Sequence, residues 1–281
     1  MKRVIILLLT LLMWGSAMAT GQDADVIYID GVRWWLMGRP IGADSALHAS
    51  VLANLPKDYC ESTDNWDGFK AYWSVQDDCL VLDSIQYLDE ECKEAWLPDT
   101  VMQRIFKDHY VKGRIIADWV DYTLRLAQGE CIYYEHMGFF RHYDTEMLVH
   151  IEKGKVADKE LFHNRLAKKG FPKENSQQQW ESIRHRLLPI VEKYSELDSI
   201  DKIYFTVEGL VIDSTGHLNS IETVRLLYYD SVLAPIQSQL EQEIRAALMV
   251  IPEWEVWYIN GKYINFTDGW AFPIIFRKRN E

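Results

Sequence analysis

From Val26 to Val156 the chain is cut into short β-prone runs by turn signals, a punctuation that favours strands and hairpins over helices. "VIYIDGVRWWLM" is split at Asp30-Gly31, a dipeptide suited to a two-residue hairpin because both positions tolerate positive φ. "FKAYWSV", "CLVLDSI", "RIIADWV", "YTLRLA", "CIYYEH" and "EMLVHIEKGKV" follow, rich in the Trp, Tyr, Ile and Val that pleated surfaces prefer. Trp66-Asp67-Gly68 and Ala127-Gln128-Gly129 mark further turns. One helical interruption is expected over Asp99–Lys107, behind Pro98. The spacing predicts an antiparallel sandwich or partly closed barrel over residues 24–156.

Beyond that point the period changes. "DKELFHNRLAKKG" reads as a helix stopped by Gly170 and Phe171-Pro172. "NSQQQWESIRHRLLPIVEKYSEL" places Trp180, Ile183, Leu187, Ile190 and Val191 on one helical stripe, which Pro189 is expected to kink. Residues 157–200 therefore read as a helical connector, too apolar for a free linker.

Residues 201–281 form a third region. "IYFTVEGLVID", a turn at "STG" and "HLNSIETVRLLYY" predict two strands. A helix from Ser231 to Val250 follows, with Ile236, Leu240, Ile244, Ala247 and Leu248 on one face. "EWEVWYI", the hairpin signal Asn260-Gly261 and "WAFPIIFRK" complete a β-β-α-β-β order. The expected class is α+β: a β-rich antiparallel N-terminal domain, the connector, and a two-layer ββαββ unit at the C-terminus.

Residues 1–19 have the form of a secretory signal peptide. Lys2 and Arg3 precede an apolar run from Val4 to Trp14, and Ala17-Met18-Ala19 is an A-x-A cleavage site. The run is shorter than the ~20 residues of a spanning helix. A periplasmic or secreted mature chain starting at Thr20 is expected, with no stable membrane span.

The formal net charge of −12 argues against nucleic acid, whose phosphates need a basic footprint. Acidic residues are concentrated before Val156, which supports a boundary there. Cys60, Cys79, Cys92 and Cys131 all lie in that acidic half. An oxidising compartment allows three pairings of four cysteines, and free thiols in the strand-like settings of Cys79 and Cys131 are the alternative.

The stretches "VIDSTGHLNSIETVRLL", "LEQEIRAALMVIPEWEV", "NGK" and "FPIIF", from about Leu210 to Lys278, resemble the C-terminal domain of TonB-type energy transducers. That family's order is strand, Gly turn, strand, helix, aromatic turn, Gly-Lys hairpin and a final apolar strand. Here Gly216, Trp254 and Gly261-Lys262 take the corresponding places. The resemblance implies a periplasmic unit of a Gram-negative cell envelope that engages a partner protein. The chain lacks the Pro-rich spacer of that family. "YIDGVRWWLMGRPI", "STDNWDGFKAYWSV" and "YYEHMGF" are similar to exported proteins of Bacteroides-type bacteria, a likeness that carries no activity.

Candidate chemistry is sparse. Glu135, His136, His142, Asp144, Glu146 and His150 supply metal-ligand types, but without a fixed spacing such as H-E-x-x-H, so no metal site is expected. No G-x-S-x-G elbow, S-x-x-K pair or P-loop occurs. Asp77-Asp78 and Glu90-Glu91 read as solvated loop charges. Neither an enzyme nor a cofactor is expected. The expected function is protein binding through strand addition at the last strand, with Ala271, Phe272, Ile274, Ile275 and Phe276 as the contact residues and a periplasmic or outer-membrane protein segment as the partner. Two alternatives stand beside it. One is a carbohydrate or cell-envelope ligand site among the N-terminal aromatics, such as Trp34-Trp35; the other is a membrane-anchored energy transducer, should residues 1–19 stay attached.

Overall fold

The computed structural model describes residues 21–134, 137–171, 177–197, 202–226, 234–251, 254–265 and 272–277; for residues 177–180, 182, 202–203 and 272–277 the backbone alone is described. The expected signal peptide lies outside the described residues. The fold is α+β, strand-rich and mainly antiparallel. Two compact units divide between Asn164 and Arg165.

In the first unit, β1 (Asp25–Ile29) and β2 (Val32–Leu36) form the hairpin anticipated at Asp30-Gly31, whose φ angles are 52° and 77°. A helix absent from the sequence reading, α1 (Ser45–Asn54), follows. The Asp44 carboxylate caps it by accepting from the backbone N–H groups of Ala46 and Leu47. Next come β3 (Phe69–Gln76), β4 (Cys79–Leu88), β5 (Glu94–Trp96) and α2 (Asp99–Ile105), the last where Pro98 foretold it. Then follow β6 (Tyr110–Val111), β7 (Arg114–Ile116), β8 (Thr123–Tyr134), β9 (Arg141–Glu152) and β10 (Lys155–His163).

The ten strands share one sheet in the order β10-β9-β8-β2-β1-β3-β4-β7-β6, with β5 beside β4. Its path returns on itself where Lys155 of β10 pairs with Cys79 of β4, and β1–β3 is its parallel pair. Alternate residues turn inward: Ile27 and Ile29 of β1, Trp34 and Leu36 of β2, Phe69, Ala71 and Trp73 of β3. Leu47 and Val51 of α1, with Met102 of α2, join that core. A disulfide between Cys60 and Cys92 ties the loop after α1 to the β4–β5 turn. Cys79 is a half-buried free thiol and Cys131 an exposed one.

Several sequence expectations give way here. Residues 155–168 are not helical: β10 pairs along its length with β9, and β11 (Arg165–Lys168) follows. The reason is the turn at Lys153-Gly154, both at positive φ, which folds the chain back on β9 so that cross-strand pairing outweighs helix propensity. The unit boundary therefore falls beyond Val156. Ala127-Gln128-Gly129 is no turn but an irregular stretch within β8, where the register shifts after Gln128.

The second unit holds α3 (Gln177–Val191), β12 (Lys202–Ile212), β13 (Leu218–Leu226), α4 (Gln237–Met249), β14 (Val256–Ile259), β15 (Lys262–Ile264) and β16 (Phe272–Arg277). Pro189 sits in the last turn of α3, so the helix runs through it and ends at Val191. The strands form two three-stranded sheets, β13-β12-β16 and β11-β14-β15. This departs from the single ββαββ sheet. Asn260-Gly261 does make a hairpin, but it joins β14 to the short β15, and the final strand crosses to β12 instead. The connector is likewise divided, β10 belonging to the first unit and β11 with α3 to the second.

Ile183, Leu187 and Val191 of α3 and Leu240, Ile244 and Leu248 of α4 pack with Phe205, Val207 and Leu210 of β12. At Gly209, paired across from Glu222, the inward alternation skips a residue on both strands at once. Val207 and Leu210 face the core on one strand, and Val224 and Ile221 on the other. Gly209 meets this with φ of 64°; a Cβ there would lie 2.4 Å from Glu222 Cβ.

Candidate functional site

Two regions carry candidate function, and each is contained in one unit. The first is the final strand. β16 pairs antiparallel with β12 from Lys202↔Arg277 to Val207↔Phe272. Its other side has no strand partner among the described residues, so it is a sheet edge. Of the expected contact residues, Phe272, Ile274, Ile275 and Phe276 lie on this strand, described by backbone alone, and Ala271 lies outside the described residues.

Two other long edge strands are guarded. On β13 the Arg245 guanidinium from α4 donates to the carbonyl oxygens of Ile221 and Glu222. Glu241 of the same helix accepts the backbone N–H of Leu226 at 2.7 Å. On β10, beyond its pairing with β4 at Lys155, the guard is charge, from Asp158, Lys159 and Glu160, with almost every residue exposed. β16 reads Phe-Pro-Ile-Ile-Phe-Arg and carries no charge before Arg277.

Trp254 is fully buried in the core of the same unit. Its backbone N–H donates to Gly216 O at 2.9 Å, and its ring meets Phe171 edge-on at 5.0 Å. Gly170 permits that approach, since a Cβ there would stand 2.2 Å from the Trp254 carbonyl carbon.

The second region is a polar network at the start of β1 that no local motif announces, because its members are far apart in sequence. Arg39 Nη1 donates to Asp25 Oδ1 at 2.7 Å and Arg39 Nε to Asp67 Oδ2 at 2.9 Å. His48 Nε2 lies 2.9 Å from the other Asp67 oxygen. Asp25 is buried and also accepts from the Trp73 indole N–H at 3.0 Å and the Ala71 backbone N–H at 3.1 Å. Burial pushes the Asp25 carboxyl up to about 6, against the pull of Arg39 and the two N–H donors. Arg39 also donates to Asp23 O and lies over the Phe139 ring at 5.2 Å.

The metal-ligand types are dispersed. His142 and Glu146 come together, but around Arg125: its Nη1 donates to Glu146 at 2.9 Å, His142 Nδ1 lies 3.2 Å away, and the Tyr143 N–H donates at 3.1 Å. Asp144 packs on Gly129, and His150 pairs with Glu152 at 3.6 Å. Glu135 and His136 lie outside the described residues. Among the described residues no three His, Cys, Asp or Glu side chains are gathered as a metal would need. Asp77 pairs with Arg114 across hairpin turns. Both networks join segments of the first unit that are distant in sequence.

No helix among the described residues is long and apolar enough to cross a membrane. Comparison with protein families, curated proteins and solved structures finds no match for this chain.

Proposed function

We propose that the C-terminal unit binds an extended segment of a periplasmic or outer-membrane protein by strand addition to β16, in a protein exported through its N-terminal leader. The observation that carries this reading is the contrast among edges: β13 is capped by side chains, β10 is charged, and β16 is apolar and open on one side among the described residues. An open edge offers main-chain N–H and C=O groups to an incoming strand, with alternate side chains giving selectivity.

Pro273, opposite Thr206, costs the ladder nothing where its nitrogen faces away from β12. In that setting Ile275 and Arg277, at alternate positions, direct their N–H and C=O groups outward and define the row a partner would join. The TonB-like residues, Gly216, Trp254 and Gly261-Lys262, support a partner-engaging unit, and the A-x-A site at Ala17–Ala19 supports export.

The test is an Ile275→Pro protein, checked first by circular dichroism for an intact fold. Affinity capture from a periplasmic extract should lose the partner that the parent chain retains. Hydrogen exchange on the parent complex should show the Ile275 and Arg277 amides slowed. Capture at unchanged affinity by the folded variant would reject strand addition at this edge. N-terminal sequencing of exported protein should begin at Thr20; an intact Met1 in the membrane fraction would favour the transducer alternative.

A further inference from the structure

We infer that the outer face of the N-terminal sheet binds a neutral polysaccharide chain along a row of aromatic rings running across the strands. This surface belongs to the first unit and does not depend on strand addition at β16.

Register sets the row. Val26 of β1 is opposite Trp35 of β2 and also opposite Tyr72 of β3, so both aromatic side chains share its face and flank it. The Tyr72 ring lies 4.9 Å from that of Trp96 on β5, and the Trp35 ring lies 5.2 Å from that of Tyr143 on β9. Their sequence neighbours Trp34, Ala71 and Trp73 point the other way, into the core. Tyr72 and Trp96 therefore lie outside the hydrophobic clusters, while Trp35 and Tyr143 are held half-buried against a small cluster of Ala24, Met37 and Ala127. From Trp96 to Tyr143 the row comprises ring separations of 4.9 Å and 5.2 Å and two strand spacings of about 4.8 Å, at most roughly 20 Å, the scale of a chain and not of a single sugar.

Burial shows rings that are held yet accessible. Trp96 is 46% exposed, Tyr72, Trp35 and Tyr143 are half-buried, and Val26 between them is 1% exposed. The Tyr72 hydroxyl donates to the buried Gln86 Oε1 at 2.9 Å, which fixes the ring. Sugar rings present C–H faces to pack on such aromatics and hydroxyls at their rims for the polar neighbours.

The charges select the class of ligand. Lys70, Glu94, Arg33 and Asp23 all act on the Tyr72 hydroxyl, two of each sign, and Lys70 is ion-paired with Asp23. Arg33 stands over the Trp35 ring at 6.0 Å. Around Tyr72 the charges thus balance, and the chain's −12 repels polyanions such as nucleic acids or acidic glycans. A neutral polysaccharide fits both facts.

The test is affinity electrophoresis of the purified full chain through gels containing a β-glucan, a xylan, a mannan or an α-glucan, with polygalacturonate as the anionic control. At least one neutral polysaccharide should retard the protein, and polygalacturonate should not. Trp96→Ala and Tyr72→Ala should each weaken retardation about tenfold or more, the usual cost of truncating an aromatic anchor. Tyr72→Phe keeps the ring and should keep most of the binding, which separates stacking from damage to the fold. Ile275→Pro should leave it unchanged, so this test stands apart from that of the β16 edge. No retardation by any neutral polysaccharide, retardation that Trp96→Ala leaves intact, or stronger retardation by polygalacturonate would each overturn the inference.

Discussion

At the scale of single residues, two buried side chains set measurable quantities. Trp254 fills the second unit's core with its ring, and its indole N–H has no hydrogen-bond partner among the described residues. Removing the ring leaves a large cavity, while losing an unpaired N–H returns little. Trp254→Ala should therefore cost about 3–5 kcal/mol in denaturant unfolding, and a loss below about 1 kcal/mol would show the ring is not an anchor. Asp25 sets a pH dependence in the first unit. Its folded carboxyl titrates near 6, above its ordinary 3.8, because burial disfavours the charged form. The folded state then holds the proton more tightly than the unfolded chain. The resulting stability is complete below about pH 4 and lost as pH rises through about 6, on the order of 3 kcal/mol in total. Asp25→Asn removes this dependence. The stability of the parent relative to the variant should fall by that order between pH 4 and 7 in urea titrations read by Trp fluorescence; parallel curves would contradict the assignment.

At the scale of elements, α1 shows how a short helix is held by its ends and one face. Leu47 and Val51 enter the core, and the Asp44 carboxylate satisfies two N–H groups of the first turn. Asp44→Ala should lower stability by about 1 kcal/mol, measured by thermal or urea unfolding, and Asp44→Ser should recover most of it. The helix was legible in principle, since Asp44 followed by Leu47 and Val51 is a cap before an i, i+4 pair. It was hidden among strong strand signals on both sides. The opposite error at 155–168 has the same root. "DKELFHNRLAKK" has helix-forming residues, yet Leu161 is exposed and the pairing with β9 decides its state.

For the whole molecule, each unit has a hydrophobic core composed of its own residues. The second contains Ile183, Leu187, Phe205, Val207, Leu240 and Trp254, which matches what a self-sufficient domain requires. Residues 165–281 expressed alone should give a cooperative urea transition with an α+β circular dichroism spectrum. A broad, non-cooperative transition would show that this core needs the first unit. The disulfide between Cys60 and Cys92 belongs entirely to the first unit, so reductant should leave the isolated second unit unaffected.

What the sequence by itself determined is local: the hairpins at Asp30-Gly31 and Asn260-Gly261, the helix after Pro98, the buried stripe of α4, and the α+β class. These follow from backbone conformations that Gly and Asn permit and from the periodicity of apolar side chains, both set within a few residues. Tertiary structure alone decided the rest. It chose the Cys60–Cys92 pair from three pairings, sent β16 to β12 instead of β15, and gathered Asp25, Arg39, His48 and Asp67 into one network. It also set Trp35 and Tyr72 on either side of Val26. Each of these depends on which distant segments become neighbours. That choice is made by competition among burial and pairing options across the whole chain, and no short window of sequence contains it.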